Sequence, residues 1–171
     1  MVKPGRSVLE VVDRIEAMIL ETGAEIAFPL NLSFNEDAAH DTASAGDERT
    51  FSAGDLIKLD LGVALDGRIA DTALSVDLGG HDALVAASAA ALDRAIALVR
   101  PGVTAGELGG AIQAEIEGRG FLPVANLTGH GLAPYQIHTA PTIPNVGIAG
   151  GAVLEEGMAI VHRALRHHRQ R

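Results

Sequence analysis

Two aspartates, Asp60 and Asp71, stand in the stretch "LIKLDLGVALDGRIADTALSV" from Leu56 to Val76, where a strand ordinarily carries neutral residues. Asp66-Gly67 separates two runs of alternating apolar and polar residues. This is the strongest short-range signature of a β-hairpin, because both residues tolerate the positive φ of a type I′ turn. A two-residue loop sets Gly62 opposite Asp71 and Asp60 opposite Ala73. The two acids then share a sheet face as diagonal neighbours, roughly 7–8 Å apart at the backbone. Carboxylates that close repel unless a proton or a cation separates them. Their neighbours on that face, Gly62, Ala64, Ala73 and Ser75, are small and leave room for an ion. The other face, with Ile57, Leu59, Leu61, Val63, Leu65, Thr72, Leu74 and Val76, reads as core. A solvent-facing surface with two unrelated acids is the plain alternative. A metal pair is the sharper one, and it needs nitrogen ligands from elsewhere.

The chain offers such nitrogens. "NLTGHGLAPYQIH" carries His130 after a glycine and His138 eight residues later, on a segment bounded by Pro134 and Pro141. "NEDAAH" ends on His40, at the close of an extended stretch. A lone histidine is more often a packed or surface residue than a ligand. Three of them beside Gly, Ala or Pro turns, in a chain with two same-face aspartates, point to a site. Imidazole with carboxylates suits Mn, Co, Fe or Zn better than calcium.

The elements that must position these groups are arranged as a repeat. "VKPGRSVLEVVDRIEAMILETG" from Val2 and "VRPGVTAGELGGAIQAEIEGRG" from Val99 align at a constant offset of 97 residues. Each copy opens with a Pro-Gly turn and a capping box, Ser7 to Glu10 and Thr104 to Glu107, in which hydroxyl and carboxylate satisfy the first free amides reciprocally. Each then stops at a glycine, Gly23 or Gly120, and turns extended. A helix around 83–99 links the hairpin to the second copy. Coincidental helix chemistry is the alternative; a true repeat makes two related halves with a cleft on their pseudo-symmetry axis.

Composition sets outer bounds. A chain of 171 residues with 47% hydrophobic content and mean hydropathy +0.22 fits one domain of ordinary size with an ample core. It has no cysteine, which excludes disulfides and thiolate metal sites and agrees with a cytoplasmic location. No signal-peptide pattern and no membrane-length apolar run is found. A net charge of −9 argues against general nucleic-acid binding.

At these residues a resemblance becomes specific. "AFPLNLSFNEDAAH", "GDLIKLDLGVALDGRIADTALSV", "NLTGHGLAPYQIH" and "LEEGMAI" resemble, in order and spacing, the motifs of type 2 methionine aminopeptidases in their archaeal form, members of the M24 pita-bread metallopeptidases. The resemblance implies an α+β pita-bread fold with internal pseudo-two-fold symmetry over residues 1–161, its halves at about 1–80 and 99–161. It implies removal of the N-terminal methionine from nascent proteins by two divalent metal ions (Co, Mn, Fe or Zn). Asp60 resembles the aspartate that binds one metal, Asp71 the one that bridges both, and His130 the imidazole ligand. His40 and His138 resemble the two histidines that contact substrate near the scissile bond and so are the catalytic and substrate-binding candidates. The partners implied are the methionyl ends of new chains, with the ribosome as a further candidate, and no membrane or specific nucleic acid.

The departures carry expectations of their own. Counting on from "LEEGMAI", the first of the family's two glutamate ligands falls on Arg163. The last ten residues hold four Arg and three His and no acid, whereas residues 1–161 carry nine Lys or Arg against 22 acids. Residues 162–171 therefore read as a non-homologous basic tail, and the fold as C-terminally incomplete, with a shifted reading frame or truncated gene as the first explanation. A genuine RNA- or ribosome-contacting tail is the second explanation, and a His-rich replacement ligand set the last. "AAHDTAS" in place of "AAHYTP" is a smaller departure. The expected function is thus methionine aminopeptidase chemistry impaired by loss of two glutamates. The alternatives are an inactive, metal-free pita-bread binding module and a proline-directed aminopeptidase relative.

Overall fold

The computed structural model describes residues 1–162 and 166–167. Two compact units appear, Met1–Asp82 and the residues from Ala83 onward.

The first unit begins with α1 (Val8–Glu21), whose Val8, Val11, Val12 and Ile19 recur at helical spacing and are buried. Ser7 caps it by accepting from the Glu10 amide. The expected reciprocal bond is not made here: the Glu10 carboxylate turns to Arg6 at 3.3 Å. β1 (Glu25–Phe34), β2 (Leu56–Leu65) and β3 (Arg68–Asp77) follow as an antiparallel sheet in the order β1-β2-β3. Val8, Val11 and Val12 pack on Leu30 and Leu32 of β1, Ile57 and Leu59 of β2, and Phe51. Each large side chain so buried contributes about 1.5–3 kcal/mol.

α2 (Asp82–Leu98) leads into the second unit, where α3 (Ala105–Gly118) carries the complete capping box between Thr104 and Glu107. Ala91 and Ala95 of α2 form a buried cluster with Ile112 and Ile116 of α3. Alanine leaves the α2 surface low enough for the two isoleucines to bury fully. Short β4 (Leu122–Pro123), β5 (Gly129–Ala133), β6 (Gln136–Ile143), β7 (Ala159–Val161) and β8 (Arg166–His167) complete it, in sheets ordered β6-β5-β7 and β4-β8.

The repeat recurs faithfully in the helices and only partly in the strands. Gly23 and Gly120 stop α1 and α3 with φ of 83° and 84°, a region glycine enters without strain. The ten-residue β1, however, corresponds at the same offset to β4, an irregular stretch at 124–128 and the start of β5. Pro123 withholds a ladder donor there, and the Asn145 side chain, donating to the Val124 and Leu127 carbonyls, takes over the work of a paired strand. The core expectation for the hairpin also holds only in part. Ile57 and Leu59 are buried, but Leu65 and Leu74 are 60% and 54% exposed, while Asp60 and Ala64 on the opposite face are 6% and 8% exposed. α1 lies over β1 and the near end of β2, and the core cluster meets β3 at Val76, which leaves Leu74 and Leu65 toward the turn uncovered. Arg163 and the rest of the expected tail at 163–165 and 168–171 lie outside the described residues.

Candidate metal centre

Asp60 and Asp71 owe their placement to the turn. Asp66 (φ 50°) and Gly67 (φ 76°) adopt the left-handed backbone a type I′ turn requires, and the register is uninterrupted from Leu65–Arg68 to Leu56–Asp77. Asp60 faces Ala73 and Gly62 faces Asp71, so both carboxylates project from one face. Asp60 is buried and Asp71 half-buried.

The room expected over Gly62 is partly filled. Phe28 of β1 pairs with Gly62, and its Cε1 lies 2.2 Å from where a Gly62 β-carbon would be. A phenyl ring thus stands on the aspartate face as an apolar wall. Sequence reasoning missed Phe28, although the signal was present: a glycine inside a strand marks a close approach of another group.

His40 does not end a strand. It sits six residues beyond β1 in the following loop, exposed, with φ of 68°. His130, on β5, is buried at 7% exposure, with Nδ1 3.2 Å from the Gly131 carbonyl. His138 lies on β6, which runs through Pro141 to Ile143, and its ring meets that of His130 edge-on, centroids 4.3 Å apart and planes at 65°. The structure therefore brings Asp60 to Asp71 in one unit and His130 to His138 in the other.

Two carboxylates on one face fit a divalent cation in donor chemistry. Among the described residues, no three His, Asp or Glu side chains form a group able to hold a metal.

Comparison with known proteins decides the family. The model of metallopeptidase family M24 matches residues 1–163. The chain belongs to metallopeptidase family M24. This M24 chain is 50% identical over 159 residues to a methionine aminopeptidase of Archaeoglobus fulgidus, covering 93% of this chain and 55% of the relative. It is also 50% identical over 147 residues to one from Pyrococcus abyssi, covering 85% and 50%. It spans about half the length of these curated relatives. Among solved structures, a methionine aminopeptidase of Thermotoga maritima superposes with a TM-score of 0.85 at 28% identity, over 93% of this chain and 68% of that one. A prolidase of Pyrococcus furiosus gives 0.78 at 27%, over 93% and 48%. The α+β pita-bread expectation is borne out by these neighbours. No helix among the described residues is long and apolar enough to cross a membrane.

Proposed function

We propose that this M24 chain carries the metal-binding and substrate-contacting residues of a metal-dependent methionine aminopeptidase, in an impaired form. The observation that carries the proposal is the carboxylate pair of Asp60 and Asp71 on one sheet face beside the Phe28 ring. Asp60, Asp71 and His130 would hold divalent metal, whose chemistry when bound is Lewis-acid activation of water and of a peptide carbonyl. Asp60 and Asp71 concentrate negative charge on one face, which favours a cation over any neutral ligand. Phe28 offers the uncharged thioether of a methionine side chain an apolar surface next to those acids. His138, exposed on β6, is suited to donate a hydrogen bond to a carbonyl oxygen of the peptide, and His40 to contact the substrate from its loop. Arg163, standing where the resemblance implies a glutamate, replaces an anionic donor by a cation.

Calorimetric titration of Mn²⁺, Co²⁺ and Zn²⁺ into the 171-residue chain, with a cleavage assay on Met-Ala and Xaa-Pro peptides, tests this reading. Weak metal binding that Asp71→Asn removes, with little release of methionine, is expected. Robust metal-dependent turnover overturns the impairment. Cleavage of Xaa-Pro peptides alone favours the proline-directed relative, and a complete lack of metal binding favours the binding module.

A further inference from the structure

The first unit contains a polar cluster centred on Arg49 that the proposed chemistry does not use. The backbone of Arg49 is moored to the start of α1, its carbonyl accepting from the Val8 amide at 3.0 Å. Its side chain reaches the loop that follows His40. Nε donates to both Asp47 oxygens at 3.1 and 2.9 Å, and Nη2 to Asp47 Oδ2 at 2.7 Å. Nη1 donates to Asp41 Oδ2 at 2.5 Å, and Nη2 to the Thr42 carbonyl at 3.1 Å. The guanidinium carbon stands 5.5 Å from the centroid of the Phe34 ring, which is itself stacked on Phe51.

Asp41 and Thr42 are held from the other side as well. The Asp41 amide donates to Ser33 Oγ at 3.3 Å, its carbonyl accepts from the Leu32 amide at 2.7 Å, and Thr42 Oγ1 donates to the Leu30 carbonyl at 2.7 Å. These two residues are therefore pinned between β1 and Arg49. His40, directly before them, is exposed and left-handed, a conformation that costs an L-residue free energy and persists only when its surroundings over-determine it.

We propose that Arg49 is a positioning residue for His40: it grips Asp41, Thr42 and Asp47 at once and so holds the imidazole in its left-handed, outward presentation. The inference rests on the substrate-contacting role given to His40 above. It also accounts for the departure "AAHDTAS", since the residue after His40 supplies the carboxylate that Arg49 binds. The grip needs a planar fork of five donors; a lysine ammonium cannot span two carboxylates and a carbonyl. The hydrogen bonds that Arg49 donates to Asp47 and then to Asp41 raise its proton affinity further, and Arg49 lowers the pKa of Asp47. The Arg49 side chain is 43% exposed, and Asp41 and Asp47 are 28% and 9% exposed; with the cation open to solvent in both pairs, their contribution to global stability is small and the expected effect is local.

The test uses Arg49→Ala, Arg49→Lys and Asp41→Asn in the 171-residue chain, read by NMR of the histidine rings, amide exchange and melting temperature. In Arg49→Ala the His40 ring signals are expected to move to random-coil positions. Exchange of the Leu32 amide should rise at least about tenfold, as for a local opening, with Tm held within about 2 °C. The His130 and His138 signals stay in place, and Arg49→Lys behaves like Arg49→Ala. An unmoved His40 ring in Arg49→Ala overturns the proposal, and so does a uniform loss of protection with a large fall in Tm, which would make Arg49 a brace for the whole unit. The underlying reading fails separately: a native His40 ring that ignores methionine amide plus Zn²⁺ overturns its substrate role, whatever Arg49 does.

Discussion

Phe28 and Gly62 are mutually dependent: the Phe28 ring occupies the volume that any side chain at position 62 would need, with Cδ1 and Cε1 2.5 and 2.2 Å from the missing β-carbon. Gly62→Ala must push the ring aside. An overpacking cost of about 1–3 kcal/mol follows, seen as a lower urea midpoint. Phe28→Ala removes the obstruction, so in the double variant the Gly62→Ala penalty should shrink by about 1 kcal/mol or more. Simple additivity would refute the dependence.

His162 follows β7 and packs against Gly129, its Nδ1 3.1 Å from the position of a Gly129 β-carbon. Among the described residues neither ring nitrogen has a hydrogen-bond partner, and burial lowers the pKa from 6.5 to about 4. The unfolded chain takes up this proton as pH falls through 6.5, while the folded chain resists until about 4. Stability is therefore full above pH 6.5 and declines between 6.5 and 4, by up to ~3 kcal/mol. His162→Leu should flatten that part of the pH profile. Urea titrations at pH 7 and pH 4.5 on both proteins give the comparison, and equal slopes with pH would count against it.

Asn145 is fully buried and its Nδ2 serves two carbonyls, Val124 at 3.2 Å and Leu127 at 2.8 Å. Asn145→Leu strands both acceptors. A loss of about 2–3 kcal/mol is expected, with faster amide exchange across 124–130, the segment that leads to His130. Normal protection there would show that the loop holds itself.

The two helix starts differ in strength. Thr104 and Glu107 exchange bonds in both directions, at 2.8 Å for the Thr104 amide and 3.2 Å for the Glu107 amide, whereas Ser7 makes only the forward bond. Thr104→Ala should cost about 1–2 kcal/mol and Ser7→Ala about half as much, measured by chemical denaturation. Equal costs would mean that the reciprocal carboxylate contributes nothing.

What the sequence determined by itself is what short-range geometry dictates. The Asp-Gly turn and the two-residue period pin the register residue by residue, so the shared face of Asp60 and Asp71 could be read from residues 56–76 alone, as could the starts and glycine stops of α1 and α3. Tertiary structure decided what depends on distant partners. Packing buried the aspartate face of β2 and left Leu65 and Leu74 exposed, because the core under α1 takes in β1, part of β2 and only Val76 of β3. It put Phe28 over Gly62, broke the second copy's strand at 124–128 in favour of Asn145, and moved His40 from a strand end to a loop fastened by Arg49. Periodicity says which residues share a face. It does not say which face is covered, since that follows from contacts between segments far apart in the chain.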